Sequence, residues 1–153
     1  MFDPELDLEI SRIIKAPPAA IWKAWKDPAA LAKWWAPEPV VTEVHQLDLR
    51  PGGAFETTMT LPDGTKMNNI GCFLDVIENR RIVSTDALLP GYRPRKEGFM
   101  TAIITLQEVD GGTNYAARVL HGSREDKDTH EKMGFHDGWG TVLMQLASFV
   151  EGH

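Results

Sequence analysis

The sequence predicts an α+β fold in the order β-α-α-β6-α, a seven-stranded curved antiparallel sheet around a long C-terminal helix. Three observations carry this. From residue 40 to 121 the apolar residues recur with a period of two, interrupted by short turns rich in Gly, Pro, Asn and Asp. From residue 134 the period lengthens to that of a helix. Between residues 16 and 39 lie two proline-bounded segments with tryptophans at helical spacing.

The first strand is LDLEISRIIKA, residues 6–16. Its apolar members are Leu6, Leu8, Ile10 and Ile13, and Ile14 breaks the alternation near its end. PPAAIWKAWKD then reads as a helix, with Ile21, Trp22 and Trp25 on one side. Asp27-Pro28 ends it, and Asp27 is placed to cap the next helix, PAALAKWWAPEP. Six strands follow: VVTEVHQLDLR, AFETTMTL, KMNNIGCFLDVI, RIVSTDALL, FMTAIITLQEV and TNYAARVLHG. RPGG, PDGT, ENR, PGYRPRKEG and DGG connect them. Turns this short favour an antiparallel meander. In the last segment Asp128 and Glu131 resemble a capping box. Phe135, Trp139, Val142, Leu143, Leu146, Phe149 and Val150 form one broad apolar face, with Asp137, Thr141, Gln145 and Ser148 largely opposite. There are no repeats, low-complexity tracts or linkers, so residues 1–153 read as one domain.

Composition narrows the function classes. A net charge of −6 argues against nonspecific nucleic-acid binding and against docking on an anionic membrane. The single cysteine, Cys72, permits no intrachain disulfide. No stretch of 18 apolar residues and no signal-like N-terminus occur, so a cytoplasmic location is expected. No HExxH, paired CxxC, GxSxG or phosphate-binding glycine loop is present, so no metal, no cofactor and no specific catalytic residue are assigned.

One helix face laid over a curved sheet encloses space. Strand parity puts Phe55, Thr57 and Met59 inward from AFETTMTL. It puts Met100, Ala102, Ile104 and Leu106 inward from FMTAIITL, and Tyr115, Ala117, Val119 and His121 from TNYAARVLH. Cys72 has ambiguous parity. The expected ligand-binding set is Trp35, Phe55, Met59, Met100, Ile104, Tyr115, His121, Phe135, Trp139 and Leu143, with Tyr115 and His121 as polar handles. The PGYRPRKEG loop should lie at the same end as PDGT and HGSRED, away from RPGG, and is the expected lid. Gly134, Gly138 and Gly140 each cost a helix roughly 1 kcal/mol relative to alanine. Gly134 and Gly138 share a helix side, where missing side chains would admit either the sheet or a ligand.

KAPPAAIWKAWKDPAALAKWWAP, LDLRPGGAF and the terminal GWGTVLMQLASFV together resemble the Activator of Hsp90 ATPase homologue 1-like family, within the START/Bet v 1-like (SRPBCC, polyketide cyclase-like) superfamily. The resemblance spans about residues 8 to 150. Ala36 stands where the family usually has a glycine after the paired tryptophans, and IENRR replaces a proline-rich turn. The resemblance implies a helix-grip fold whose groove holds an apolar or amphipathic small molecule. It leaves open an enzyme of cyclase or hydrolase type using the same pocket, and a chaperone-type protein-interaction module. The co-chaperone that names the family contacts Hsp90 through an additional domain not seen in these residues, so that contact is not carried over. A homodimer is left open.

Overall fold

The computed structural model describes residues 2–152. β1 (Asp7–Ile14) leads into α1 (Pro18–Lys26) and α2 (Pro28–Trp34). Each helix begins on a proline, whose fixed φ suits a first turn and whose missing N–H costs nothing there. Asp27 caps α2, accepting from the Ala29 amide at 3.0 Å. Next come β2 (Val41–Leu47), β3 (Ala54–Thr60), β4 (Lys66–Ile77) and β5 (Arg81–Thr85). A short hairpin, β6 (Leu88–Leu89) and β7 (Arg93–Pro94), precedes β8 (Thr101–Val109) and β9 (Gly112–Leu120). The chain closes with α3 (Arg124–Lys132) and α4 (Phe135–Glu151). No helix among the described residues is long and apolar enough to cross a membrane.

The main sheet has seven strands in the order β1-β9-β8-β5-β4-β3-β2, all antiparallel. It is the expected meander, with β1 added beside β9. The register places Ala102 opposite Val119, Ile104 opposite Ala117 and Leu106 opposite Tyr115, all six buried on the inner face. α4 lies over that face in the helix-grip arrangement, and Leu143, Leu146, Ala147 and Val150 are its buried residues in the main core.

Four tryptophans, all from α1 and α2 and the residue after them, wedge one end of the space between helix and sheet. Trp25 and Trp34 are each 1% exposed and meet edge to face at 5.5 Å. Their ring N–H groups are satisfied: Trp34 donates to Ala24 O and Trp25 to the Tyr115 hydroxyl, both at 3.2 Å.

Three expectations are corrected. The terminal helix is two helices. Ser123 caps α3, its hydroxyl accepting from Asp126 N, so Asp128 and Glu131 lie inside α3 and form no capping box. Gly134 separates the helices at φ +91, a left-handed conformation that glycine adopts without a Cβ penalty. Gln145 is half-buried rather than turned away from the core. Its amide donates to Trp34 O and Ala36 O and accepts from Glu38 N, fastening the loop after α2 to α4.

The third concerns the expected lid. Gly91 N donates to Gly52 O at 2.9 Å, the Tyr92 ring stands over Gly52, and the Arg95 guanidinium donates to Ile70 O at 3.3 Å. The loop is therefore fastened to the RPGG turn and to β4, not laid across a mouth. The reason is the short β5: it pairs with β4 only from Cys72 onward, and the hairpin covers part of the edge left beyond it.

Close backbone approach explains one glycine in the sheet. A Cβ on Gly112 would lie 2.1 Å from the Ile14 carbonyl oxygen. Gly112→Ala is expected to cost about 2–4 kcal/mol, read by urea unfolding. A loss below about 0.5 kcal/mol would mean that the β1–β9 corner yields freely.

Candidate functional site

Away from the tryptophan wedge, the space between α4 and the sheet is not filled. A cavity of about 170 Å³ lies against the inner faces of β3, β4, β5 and β8. Its apolar wall comes from Trp25, Trp35, Phe55, Met59, Met100, Ala102, Ile104 and Trp139. A second space of about 280 Å³ adjoins it on the side of α3 and the start of α4, bounded by His130, Met133, Phe135 and Gly138. The two share Trp35, Met59, Met100 and Trp139 as walls. Together they reach the lower end of the range of small-molecule sites, about 300–1,000 Å³. A void of about 30 Å³ lies deeper, under Trp139, against Tyr115 and Leu143.

The structure thus brings seven of the expected residues together around the groove: Trp35, Phe55, Met59, Met100, Ile104, Phe135 and Trp139. Trp139 is central. It is half-buried, stacks on Phe135 at 5.2 Å and borders all three spaces. Trp35, just past the end of α2, packs on Trp25 and Phe55, both at 5.1 Å. Phe55 in turn stacks on Phe73 at 5.0 Å. Tyr115 and Leu143 border only the small void. Burial pushes the Tyr115 phenol well above its ordinary pKa, so it stays neutral, with its oxygen engaged by Trp25. His121 borders none of these spaces. It sits behind the wall, its Nδ1 2.8 Å from Leu6 O and its Nε2 2.9 Å from His130 Nδ1.

The polar groups on the groove are ones that the strand patterns leave obscure. Asn69, Ser84, Thr85 and Asp86 line the first cavity beside Thr57. Asp86 accepts from the amides of Phe99 and Met100 at 2.7 and 3.0 Å, which pins Met100 at the rim. Thr85 is engaged by Met100 O, Ala87 N and Thr101. Asn69 and Gly71 face inward because Phe73 does. A bulge between Phe73 and Asp75 shifts the register, so the remainder of that strand does not report its parity. Cys72 has the opposite parity to Phe73 and is fully buried.

His130, on α3, is 8% exposed. Its ring meets those of Phe99 at 5.0 Å, His121 at 5.1 Å, Phe135 at 5.1 Å and Trp139 at 6.3 Å. Burial first, and the neighbouring His121 second, push its pKa down to about 4.

The three glycines of GFHDGWG separate into different roles. Gly134 supplies the left-handed turn. Gly140 faces Ile10 at ordinary contact distance, 3.5 Å from where a Cβ would stand. Gly138 has nothing within 4 Å of that position and borders the second space. It leaves open volume rather than admitting the sheet.

The geometry is that of a helix-grip protein with an unfilled apolar groove. The chain belongs to the Activator of Hsp90 ATPase homolog 1-like family, whose profile matches residues 15–151. A protein from Nitrosomonas europaea is 41% identical with a TM-score of 0.94, the match covering 99% of this chain and 97% of that one. A Mycobacterium smegmatis protein is 29% identical with a TM-score of 0.80, covering 95% and 90%. The AHSA1-like protein of Aeromonas hydrophila, 21% identical over 96% and 93% with a TM-score of 0.73, shares the fold. No curated protein matches the chain. Proteins of this fold generally bind hydrophobic ligands.

Two outcomes are expected. Gly138→Ala meets no neighbour, so it should stabilise the protein by about 0.5–1 kcal/mol in urea unfolding. A destabilisation would show that the space is needed for packing. His130 is held below its unfolded pKa of 6.5, so it costs folding nothing at pH 7, and the folded state is penalised as pH falls from 6.5 toward 4 because the unfolded chain takes up the proton first. Between pH 7 and 5 the protein should lose about 1–2 kcal/mol, and His130→Phe should remove that part of the slope. An unchanged slope would assign the acid sensitivity to other groups.

Proposed function

We propose that this protein binds an apolar or amphipathic small molecule between α4 and the curved sheet. The carrying observation is the unfilled space on both sides of Trp139. Trp35, Phe55, Met59, Met100, Ile104, Phe135 and Trp139 would contact the ligand. Tyr115 and Leu143 would support Trp139 from beneath, and His121 would act only through His130. Two further points support the reading. A well-packed core leaves few voids larger than a water molecule, and such apolar voids forgo dispersion contacts that a ligand restores. Gly138 keeps part of the wall low at a cost in helix stability, which a filled core would not need.

Native mass spectrometry of freshly purified protein, followed by denaturing extraction, tests this. The expected result is a co-purifying apolar molecule whose affinity Trp139→Ala lowers by about tenfold, a change of about 1.4 kcal/mol in binding. A clean apo mass, with no thermal shift across lipids, sterols and aromatic metabolites, would overturn the reading.

A further inference from the structure

We propose that His130 is the hydrogen-bond acceptor of the groove, locked in one tautomer by His121, and that the ligand presents a hydroxyl or N–H donor on an apolar frame. This rests on the binding function proposed above and narrows its ligand class.

The Leu6 carbonyl accepts from the His121 backbone amide at 3.1 Å and lies 2.8 Å from His121 Nδ1. A carbonyl only accepts, so Nδ1 of His121 carries a hydrogen. When both imidazoles are neutral each has one N–H, so Nε2 of His121 is then a bare lone pair. That lone pair is 2.9 Å from Nδ1 of His130, which must then be the donor between them. Nε2 of His130 is left unprotonated.

That atom also has no partner among the described residues. Thr42 Oγ1 is the only fully enclosed side-chain polar atom there without one, so His130 Nε2 keeps contact with open space. The open space bounded by His130 is the second part of the groove, walled also by Trp35, Met100, Phe135 and Trp139. Edge contacts with Phe99 and Phe135 hold the ring in place. A fixed acceptor in an apolar wall favours a hydroxyl or N–H and disfavours a carbonyl, ether or carboxylate, whose lone pairs would face its own. Protonation would reverse that preference, and the burial that depresses the His130 pKa keeps the ring neutral.

The tautomer is read on the wild-type protein from the ¹⁵N shifts of the ring nitrogens. Unprotonated Nε2 on both His121 and His130 is expected, and an Nε2–H on His130 at neutral pH would overturn the assignment. Affinities for 2-naphthol and for 2-methoxynaphthalene, measured by quenching of tryptophan fluorescence, test the consequence. 2-Naphthol should bind about tenfold more tightly, and the ratio should fall to within about twofold in His130→Phe. Equal affinities in the wild type would overturn the acceptor role while leaving the groove as a binding site. Failure of both probes to bind would overturn the binding reading, and this inference with it.

Discussion

An α-helix with its side chains is about 10–12 Å across, whereas seven strands spaced at about 4.8 Å make a sheet roughly 30 Å wide. One helix therefore cannot cover the inner face of this sheet. The remaining apolar surface must be curled around the helix, filled by other elements or left open. This chain does all three. The curl comes from the strand twist and from bulges at Val44/Gln46 and Phe73/Asp75. The filling comes from α1 and α2. The opening lies beyond Trp139.

The fill is concentrated in few residues. Trp25 and Trp34 each bury a large ring, roughly 4–6 kcal/mol of transfer free energy as an upper bound. Such rings also bring a polar N–H that must be satisfied, and both are. The Trp25–Tyr115 hydrogen bond ties α1 to β9 across 90 residues of sequence. Gln145 ties α4 to the end of α2 in the same way. Together they hold Trp35 and Trp139 on opposite sides of the groove. The rigid end of the molecule thus sets the dimensions of the open end.

This division accounts for what could be read from sequence. Period-two strands, DGG and PDGT turns and Asp27-Pro28 are local signals, and the meander of the six later strands follows from them, whereas the place of β1 beside β9 is a long-range pairing with no local signal. Phe55, Met59, Met100 and Ile104 were legible because neighbouring charged or polar residues fix their parity. The His121–His130 contact was not. The two residues are nine apart, one after the end of β9 and one inside α3, and only the turn at Ser123 brings their rings together. Nor was the position of the PGYRPRKEG loop, which depends on where β5 stops pairing. The break between α3 and α4 was not legible for a related reason: Asp128 is a plausible cap by residue type but lies inside α3, which Ser123 caps, and the start of α4 depends on Gly134 taking a φ of +91.

The same glycine bears on the groove. By ending α3 and starting α4 at an angle, Gly134 turns His130 back toward Phe135 and Trp139 rather than along a continuing helix. A single uninterrupted helix would carry His130 and Trp139, nine residues apart, about 13 Å from each other along its axis. Their rings are instead 6.3 Å apart. The break therefore places an imidazole against an otherwise apolar wall, and His121 sets which of its nitrogens is bare. Shape and polarity of the groove trace to one left-handed residue and one carbonyl, that of Leu6, neither of which carries a functional side chain.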